Sequence, residues 1–366
     1  MSSLSTDIIF LLGAGASAEA GIPPSGQMID EIEAFLDGRD SVDWKQFQKL
    51  YNHIKSSIYY AAGLKGTFND KVSYNIETLV NTLYELERYE EHPLYPFIAS
   101  WNSRLLSLAR DDGGDFAKVR AFRRMILKQL KSWVAPDDVS KSEYFRGLVS
   151  LQKGLTFSLR VFSLNYDMCV ERLSASDFRV ETGFAGVGPK FKWDWERFED
   201  SSGAPAPPEI YLYKLHGSVN WKRDESGSLI CLEQTEGILP ENMDLIFGRD
   251  FKLEAADPYL FYAYELRRYS LASKIIVAVG YGFGDQHINK IITQALKHDE
   301  NRRLLVVAYC RDKTATQAKK KEVVKILNVP DEQVVVKRGS AKEFLETLDL
   351  QKELLDLIPV PKNAPF

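Results

Sequence analysis

A five-residue apolar run, Ile8-Ile9-Phe10-Leu11-Leu12, ends abruptly in glycine, which predicts a short strand buried on both faces. Gly13 to Ala18 then predicts a tight turn and a helix-like stretch to about Ala20, stopped by Gly21-Ile22-Pro23-Pro24. From about Gln27 to Leu159 the spacing of apolar residues is helical, over 27–36, 44–62, 76–90, 96–109 and 115–134. Ile76, Leu79, Val80 and Leu83, for example, fall on one helical face. No strand pattern interrupts that stretch.

Strand patterns return at 160–165 and 210–215, and again at 228–232, 244–247, 274–279, 303–309 and 333–337. Helical patterns lie between and after them at 257–270, 288–297, 315–327 and 341–355; Ile288, Ile291, Ile292 and Ala295 form one apolar stripe. Strands alternating with helices predict an α/β fold, a Rossmann-like and mostly parallel sheet with helices on both faces. Residues 1–26 and 160–366 are expected to form that domain, with 27–159 inserted as a helical module. Gly203-Ala204-Pro205-Ala206-Pro207-Pro208 reads as a loop, and there is no internal repeat. Parallel sheets bind ligands beyond the C-terminal ends of their strands, so the residues just after each strand are the ones to inspect.

Composition narrows the classes. With 366 residues, 45% hydrophobic and 27% charged, the chain is long enough and apolar enough for a large core. A formal net charge of −4 gives no electrostatic indication of direct nucleic-acid binding. Three distant cysteines, Cys169, Cys231 and Cys310, cannot supply four thiolates to a structural zinc, and no metal is expected. No apolar stretch approaches the ~18 residues of a membrane span, so a soluble, cytoplasmic protein without membrane contact is expected.

Four short motifs follow predicted strands. Gly13-Ala14-Gly15-Ala16-Ser17-Ala18 fits G-x-G-x-x-A, where bare backbone N–H groups and a helix dipole can receive a pyrophosphate. A dehydrogenase would place an acidic residue on a second strand ~20 positions later, whereas Glu31 and Glu33 sit in a helical pattern. Asn165-Tyr166-Asp167 ends the second strand; Asn165 or Asp167 either caps a helix starting near Met168 or points at a ligand. His216, after an apolar strand and before Gly217, is the most available general base at neutral pH. Val279-Gly280-Tyr281-Gly282-Phe283-Gly284-Asp285 is another glycine-rich turn between a strand and a helix, and two such turns suit the two halves of a dinucleotide.

Taken in order, Gly13 to Ser17 with Gly21-Ile22-Pro23, Leu164-Asn165-Tyr166-Asp167, Lys214-Leu215-His216-Gly217-Ser218 with Asn220-Trp221, and Gly280 to Asp285 resemble the sirtuin fold. The closest resemblance is to the Sir2-like NADase domains of bacterial antiphage defence. It implies that Gly13, Ala14, Gly15, Ala16 and Ser17 bind the phosphates of NAD⁺. By the same resemblance Asn165 holds the nicotinamide ribose or the attacking water, Asp167 faces the carboxamide and His216 is the base. Gly280, Tyr281 and Gly282 stand where the family has its Gly-Thr-Ser ribose-phosphate turn, with different side chains at the last two positions.

Two departures separate the chain from the protein deacylases of that fold. Those enzymes continue Gly-Ile-Pro with Asp-Phe-Arg, where this chain has Pro24-Ser25-Gly26, and they carry a four-cysteine zinc ribbon. The resemblance therefore implies hydrolysis of NAD⁺ to nicotinamide and ADP-ribose. An NAD⁺-dependent deacylase and a non-catalytic NAD⁺ or ADP-ribose sensor are the alternatives. It further implies gating by a partner, a HerA-type hexameric ATPase, and assembly into a large homo-oligomer.

Overall fold

The computed structural model describes residues 7–38, 42–68, 72, 74–88, 103–111, 114, 116–136, 138–186, 189–199, 209–247, 257–349 and 354–357. Its strands in chain order are β1 (Ile8–Leu12), β2 (Leu159–Ser163), β3 (Val180–Glu181), β4 (Phe184–Ala185), β5 (Lys190–Trp193) and β6 (Ile210–Lys214). They continue with β7 (Gly217–Arg223), β8 (Leu229–Leu232), β9 (Met243–Leu245), β10 (Ile275–Val279), β11 (Arg303–Ala308) and β12 (Val334–Arg338). The chain divides into two compact units, one of residues 1–22, 134–246 and 250–366, the other of residues 23–133 and 247–249.

The first unit is built on a seven-stranded sheet in the order β12-β11-β10-β1-β2-β6-β3, with every pairing parallel. Strands in such a sheet are covered on both faces, which is why β1, β2, β6 and β10 are buried at every position. Alternation assigns the faces. Ile9, Leu11, Phe162, Tyr213, Ile276, Ala278, Leu304 and Val306 pack with Tyr262, Leu266, Ile292, Ala295 and Val323 of the helices Tyr259–Ala272, Gln286–His298 and Lys313–Leu327. Each such side chain contributes about 1.5–3 kcal/mol through burial.

The parallel sheet agrees with the strand-and-helix alternation read from the sequence, but residues 184–245 depart from it. There β4, β5, β8, β7 and β9 form a second, five-stranded antiparallel sheet. The patterns at 228–232 and 244–247 belong to this sheet and not to a continued parallel one. The reason is connection length: β7 and β8 are joined by a tight turn in which Asp224 Oδ1 accepts from the N–H groups of Ser226 and Ser228 and Gly227 has φ +80°. A parallel crossover needs a dozen or more residues.

Residues 139–152 form a 3-10 segment, Val139–Phe145, and the helix Arg146–Gln152, and both fall in the sheet's unit. The Tyr144 hydroxyl donates to the Ala16 carbonyl at 2.6 Å, tying this segment to the turn after β1. The second unit carries the helices Ser25–Leu36, Val42–Lys45, Gln48–Leu64, Ile76–Glu87, Ser103–Ala109 and most of Ala117–Val134. Within it Phe122 is ringed by Trp44, Phe47 and Tyr51, with Phe47 stacked at 5.0 Å. Its described residues hold no strand. The 203–208 loop and the 96–102 part of one expected helix lie outside the described residues. None of the described helices is long and apolar enough to cross a membrane.

Gly147 marks a close crossing, since a Cβ there would lie 1.7 Å from the Leu345 carbonyl oxygen. Gly147→Ala is expected to force the helices Arg146–Gln152 and Ala341–Glu346 apart at a cost of about 1–3 kcal/mol. Urea unfolding checks this; a midpoint equal to wild type would refute the crossing.

Candidate functional site

Strand order reverses between β1 and β10: β2, β6 and β3 extend the sheet on one side of β1, and β10, β11 and β12 on the other. Ligands of open parallel sheets bind beyond the strand ends at such a reversal. Two glycine turns meet there. Gly13 N–H donates to Val279 O and Gly15 N–H to Gly280 O, both at 3.0 Å. A Cβ on Gly13 would lie 2.7 Å from Gly280 O, and one on Gly280 would lie 2.2 Å from Ala16 N. Gly280 also has φ +62°, which L side chains rarely adopt. These glycines are required first by backbone-to-backbone contact.

That contact changes the expected phosphate cradle. The stretch after Gly13 is two 3-10 turns, Ala14–Ala16 and Ala18–Ala20, closed by Gly21 at φ +87°, and not a continuous helix. A turn of three residues sums few peptide dipoles. Besides the bonds of Gly13 and Gly15, Ala16 N–H donates to Gly13 O and Ser17 N–H to Ala14 O. Four of the N–H groups expected to be bare are therefore engaged within the fold, and Ala14 is the exposed residue of the turn. Gly282 and Gly284 are exposed with open space where a side chain would stand. Tyr281, expected at the ligand, is buried against Phe283, and its hydroxyl donates to Asn289 Oδ1 at 2.9 Å.

β2 and β6 lie side by side with Ser163 opposite Lys214, and Leu215 N–H continues the pairing to Ser163 O at 2.8 Å. Asn165 and His216, each two residues past its strand, consequently leave the same rim of the sheet. Asn165 is not a helix cap. Its Nδ2 donates to Gly13 O and to Ser17 Oγ, each at 3.0 Å, so the end of β2 is bonded to the turn after β1. Asp167 is the local cap: its Oδ1 accepts from Cys169 N–H at 2.9 Å, ahead of a 3-10 turn, Glu171–Leu173, and not the helix expected near Met168. Its Oδ2 is buried and finds no hydrogen-bond partner among the described residues. Burial, then the Asp167 carboxylate, pushes the neighbouring Cys169 thiol up, which keeps it protonated.

His216 is buried, with Nε2 3.2 Å from Asp285 Oδ2. Asp285 Oδ1 meanwhile accepts from the N–H groups of His287 and Ile288 and caps the helix Gln286–His298. Burial pushes the Asp285 carboxyl up, but the bond and charge of His216 and the helix N–H groups outweigh it, and the acid is held below its usual range. Sequence reading placed Asp285 in the glycine turn without a role. An Asp before an apolar-periodic helix is an N-cap signal, and nothing in one sequence adds that its second oxygen meets a histidine 69 residues away.

The structure thus brings together the turns at 13–17 and 280–285, Asn165, Asp167 and His216, and adds Asp285. Among the described residues no group of three or more His, Cys, Asp or Glu could hold a metal ion. Residues 159–328, which take in Asn165, Asp167, His216 and Gly280–Asp285, match a family described as a SIR2-like domain. No curated protein matches the chain in sequence. Similar solved structures include a Sir2 homologue in complex with NAD, 12% identical, covering 93% of this chain and 86% of that one with a TM-score of 0.40. Another is a Sir2 protein bound to acetylated peptide, 11% identical, covering 92% and 90% with a TM-score of 0.36.

A carboxyl whose folded pKa is depressed contributes stability above its unfolded pKa, and that contribution is lost as pH falls through the folded value. Asp285→Asn keeps an N-cap side chain but removes the charge facing His216. Wild type is expected to exceed this variant in unfolding free energy at neutral pH, with the gap closing below about pH 4. Urea unfolding across a pH series checks this, and a gap that does not change with pH would contradict the pairing.

Proposed function

We propose that the chain is an NAD⁺ glycohydrolase, cleaving the bond between nicotinamide and ribose to give nicotinamide and ADP-ribose. One observation carries the reading: Asn165 and the His216–Asp285 pair leave adjacent strand ends at the strand-order reversal, beside a buried carboxylate oxygen of Asp167 without a partner. The SIR2-like match over 159–328 supports an NAD-dependent activity.

The residues suit this ligand in kind. Asp167 Oδ2 offers a buried acceptor to a carboxamide N–H and a negative charge to the cationic pyridinium. Both N–H donors of Asn165 are engaged by Gly13 and Ser17, which leaves its Oδ1 to accept from a ribose hydroxyl or the attacking water. The diphosphate and adenosine would pass over exposed Ala14 and the open faces of Gly282 and Gly284.

Cleavage breaks the C1′–N bond, and its electron pair neutralises the nicotinamide ring as it leaves. Water forms the new bond to C1′, and its proton passes to His216. The Asp285 carboxylate holds the ring in place and stabilises the imidazolium that forms, as the carboxylate of an acid–base triad does. Carboxylates near C1′ also favour the oxocarbenium-like charge of the transition state. The acyl-binding Asp-Phe-Arg segment has no counterpart at Pro24-Ser25-Gly26, which favours water over an acyl-lysine as nucleophile. Unrestrained NAD⁺ loss would kill a cell, and the proposal includes gating by homo-oligomer assembly or a HerA-type ATPase, as antiphage defence requires.

Incubation with NAD⁺ and chromatography of the products, with and without such an ATPase, tests the reading. His216→Ala and Asn165→Ala are expected to lower nicotinamide release by about 10²–10⁴-fold while the protein stays folded. Wild-type turnover in both variants would remove the assignment. Release that requires an acylated peptide would identify a deacylase, and tight binding without turnover in any assembly would identify a sensor.

A further inference from the structure

Lys214 occupies a position where a lysine is costly. It lies in β6, only 1% exposed, opposite Ser163 in a strand whose other residues are Ile210, Tyr211, Leu212 and Tyr213. Taking an ammonium out of water costs several kcal/mol unless it is well paired, and an apolar side chain of similar length is the cheaper occupant. Its partners explain the choice. Nζ donates to the backbone carbonyl of Asp167 and lies 3.1 Å from Glu171 Oε1.

Both partners belong to the segment that leaves β2 with Asn165 and Asp167. The chain just after Lys214 grips the same segment again, where Val219 N–H donates to Tyr166 O at 3.0 Å. His216 lies between these two attachments. One stretch, 214–219, therefore carries the base and also fixes the backbone that presents Asp167. Asn165, by contrast, is held from the other side, by Gly13 and Ser17.

We propose that Lys214 is a positioning residue for the nicotinamide end of the ligand, acting through the backbone of Asp167. The inference rests on the proposed role of Asp167 opposite the carboxamide. It separates the two ends of the ligand: loss of Lys214 weakens recognition of nicotinamide and leaves ADP-ribose, held by the glycine turns, unaffected.

Lys214→Met alone would strand the Glu171 carboxylate in the interior, so the test uses Lys214→Met/Glu171→Gln, with Glu171→Gln as the comparison. Circular dichroism and thermal melting establish that each variant is folded. The double variant is expected to raise KM for NAD⁺ and the inhibition constant of nicotinamide about tenfold, the effect of losing one charge-assisted hydrogen bond. Its ADP-ribose Kd by calorimetry should stay within about twofold of wild type. Glu171→Gln keeps the Lys214 bond to Asp167 and should leave nicotinamide inhibition within about threefold. An unchanged nicotinamide constant in the double variant overturns the proposal, as does an equal loss of nicotinamide and ADP-ribose. A wild-type protein that binds ADP-ribose but neither releases nor responds to nicotinamide would instead refute the proposed function itself.

Discussion

The site depends on a contact in which no side chain takes part. β1 and β10 are parallel neighbours, so the chain leaving each of them emerges at the same rim, and the two turns meet main chain to main chain. Only hydrogen at the Cα positions of Gly13, Gly15 and Gly280 lets them approach so closely. Everything nearby takes its place from that approach. Ser17 and Gly13 O are positioned to receive the Asn165 amide, and the path from Gly280 leads to Asp285 at the start of its helix. A phosphate-binding reading of the glycines and a packing reading are thus layered, with packing coming first.

His216 has a second constraint of its own. The next residue, Gly217, has φ +85°, and a Cβ on it would lie 2.1 Å from Asp244 O. There the chain passes from the parallel sheet into the antiparallel one, and Ile246 N–H closes back on His216 O at 2.9 Å. The histidine is therefore fixed at a junction of two sheets, with the backbone held on both sides and the ring held by Asp285. Such over-determination suits a base, because a proton acceptor displaced by an ångström loses much of its effect.

The parallel sheet was legible because fully buried strands read as unbroken apolar runs, and because ligands collect where those runs end. Ile8–Leu12 and Ile275–Val279 needed no other information. The antiparallel sheet was not legible in the same way: β3 and β4 are two residues each, and β5 alternates Lys190-Phe191-Lys192-Trp193 over too few positions to show a period. Asn165 and His216 could be placed at strand ends from local sequence alone. Their register could not, because pairing between β2 and β6 is a property of two segments some fifty residues apart. Asp285 and Lys214 were hidden for a further reason. Each already has an ordinary explanation, helix cap or strand residue, and the second function appears only when a partner from another strand is seen.

The two rims of the sheet treat their buried polar groups differently, and the difference bears on function. Before β11, the Arg302 guanidinium donates to the carbonyls of Leu271, Ser273 and Ala295, closing the ends of two helices. Before β12, the Gln333 amide does the same for Leu296, Asp299 and Arg302. These groups are consumed by the fold itself. Beyond the opposite strand ends, Lys214 is likewise consumed, yet the carboxylate it helps to position keeps one buried oxygen without a donor. An unmet acceptor of that kind costs about 1–3 kcal/mol in the unliganded protein. A fold that satisfies its polar groups at one rim with three carbonyls per side chain has the means to satisfy this one. Leaving it open is the expected arrangement where the missing donor arrives with a ligand, and the open oxygen sits where Asn165, His216 and the two glycine turns already converge.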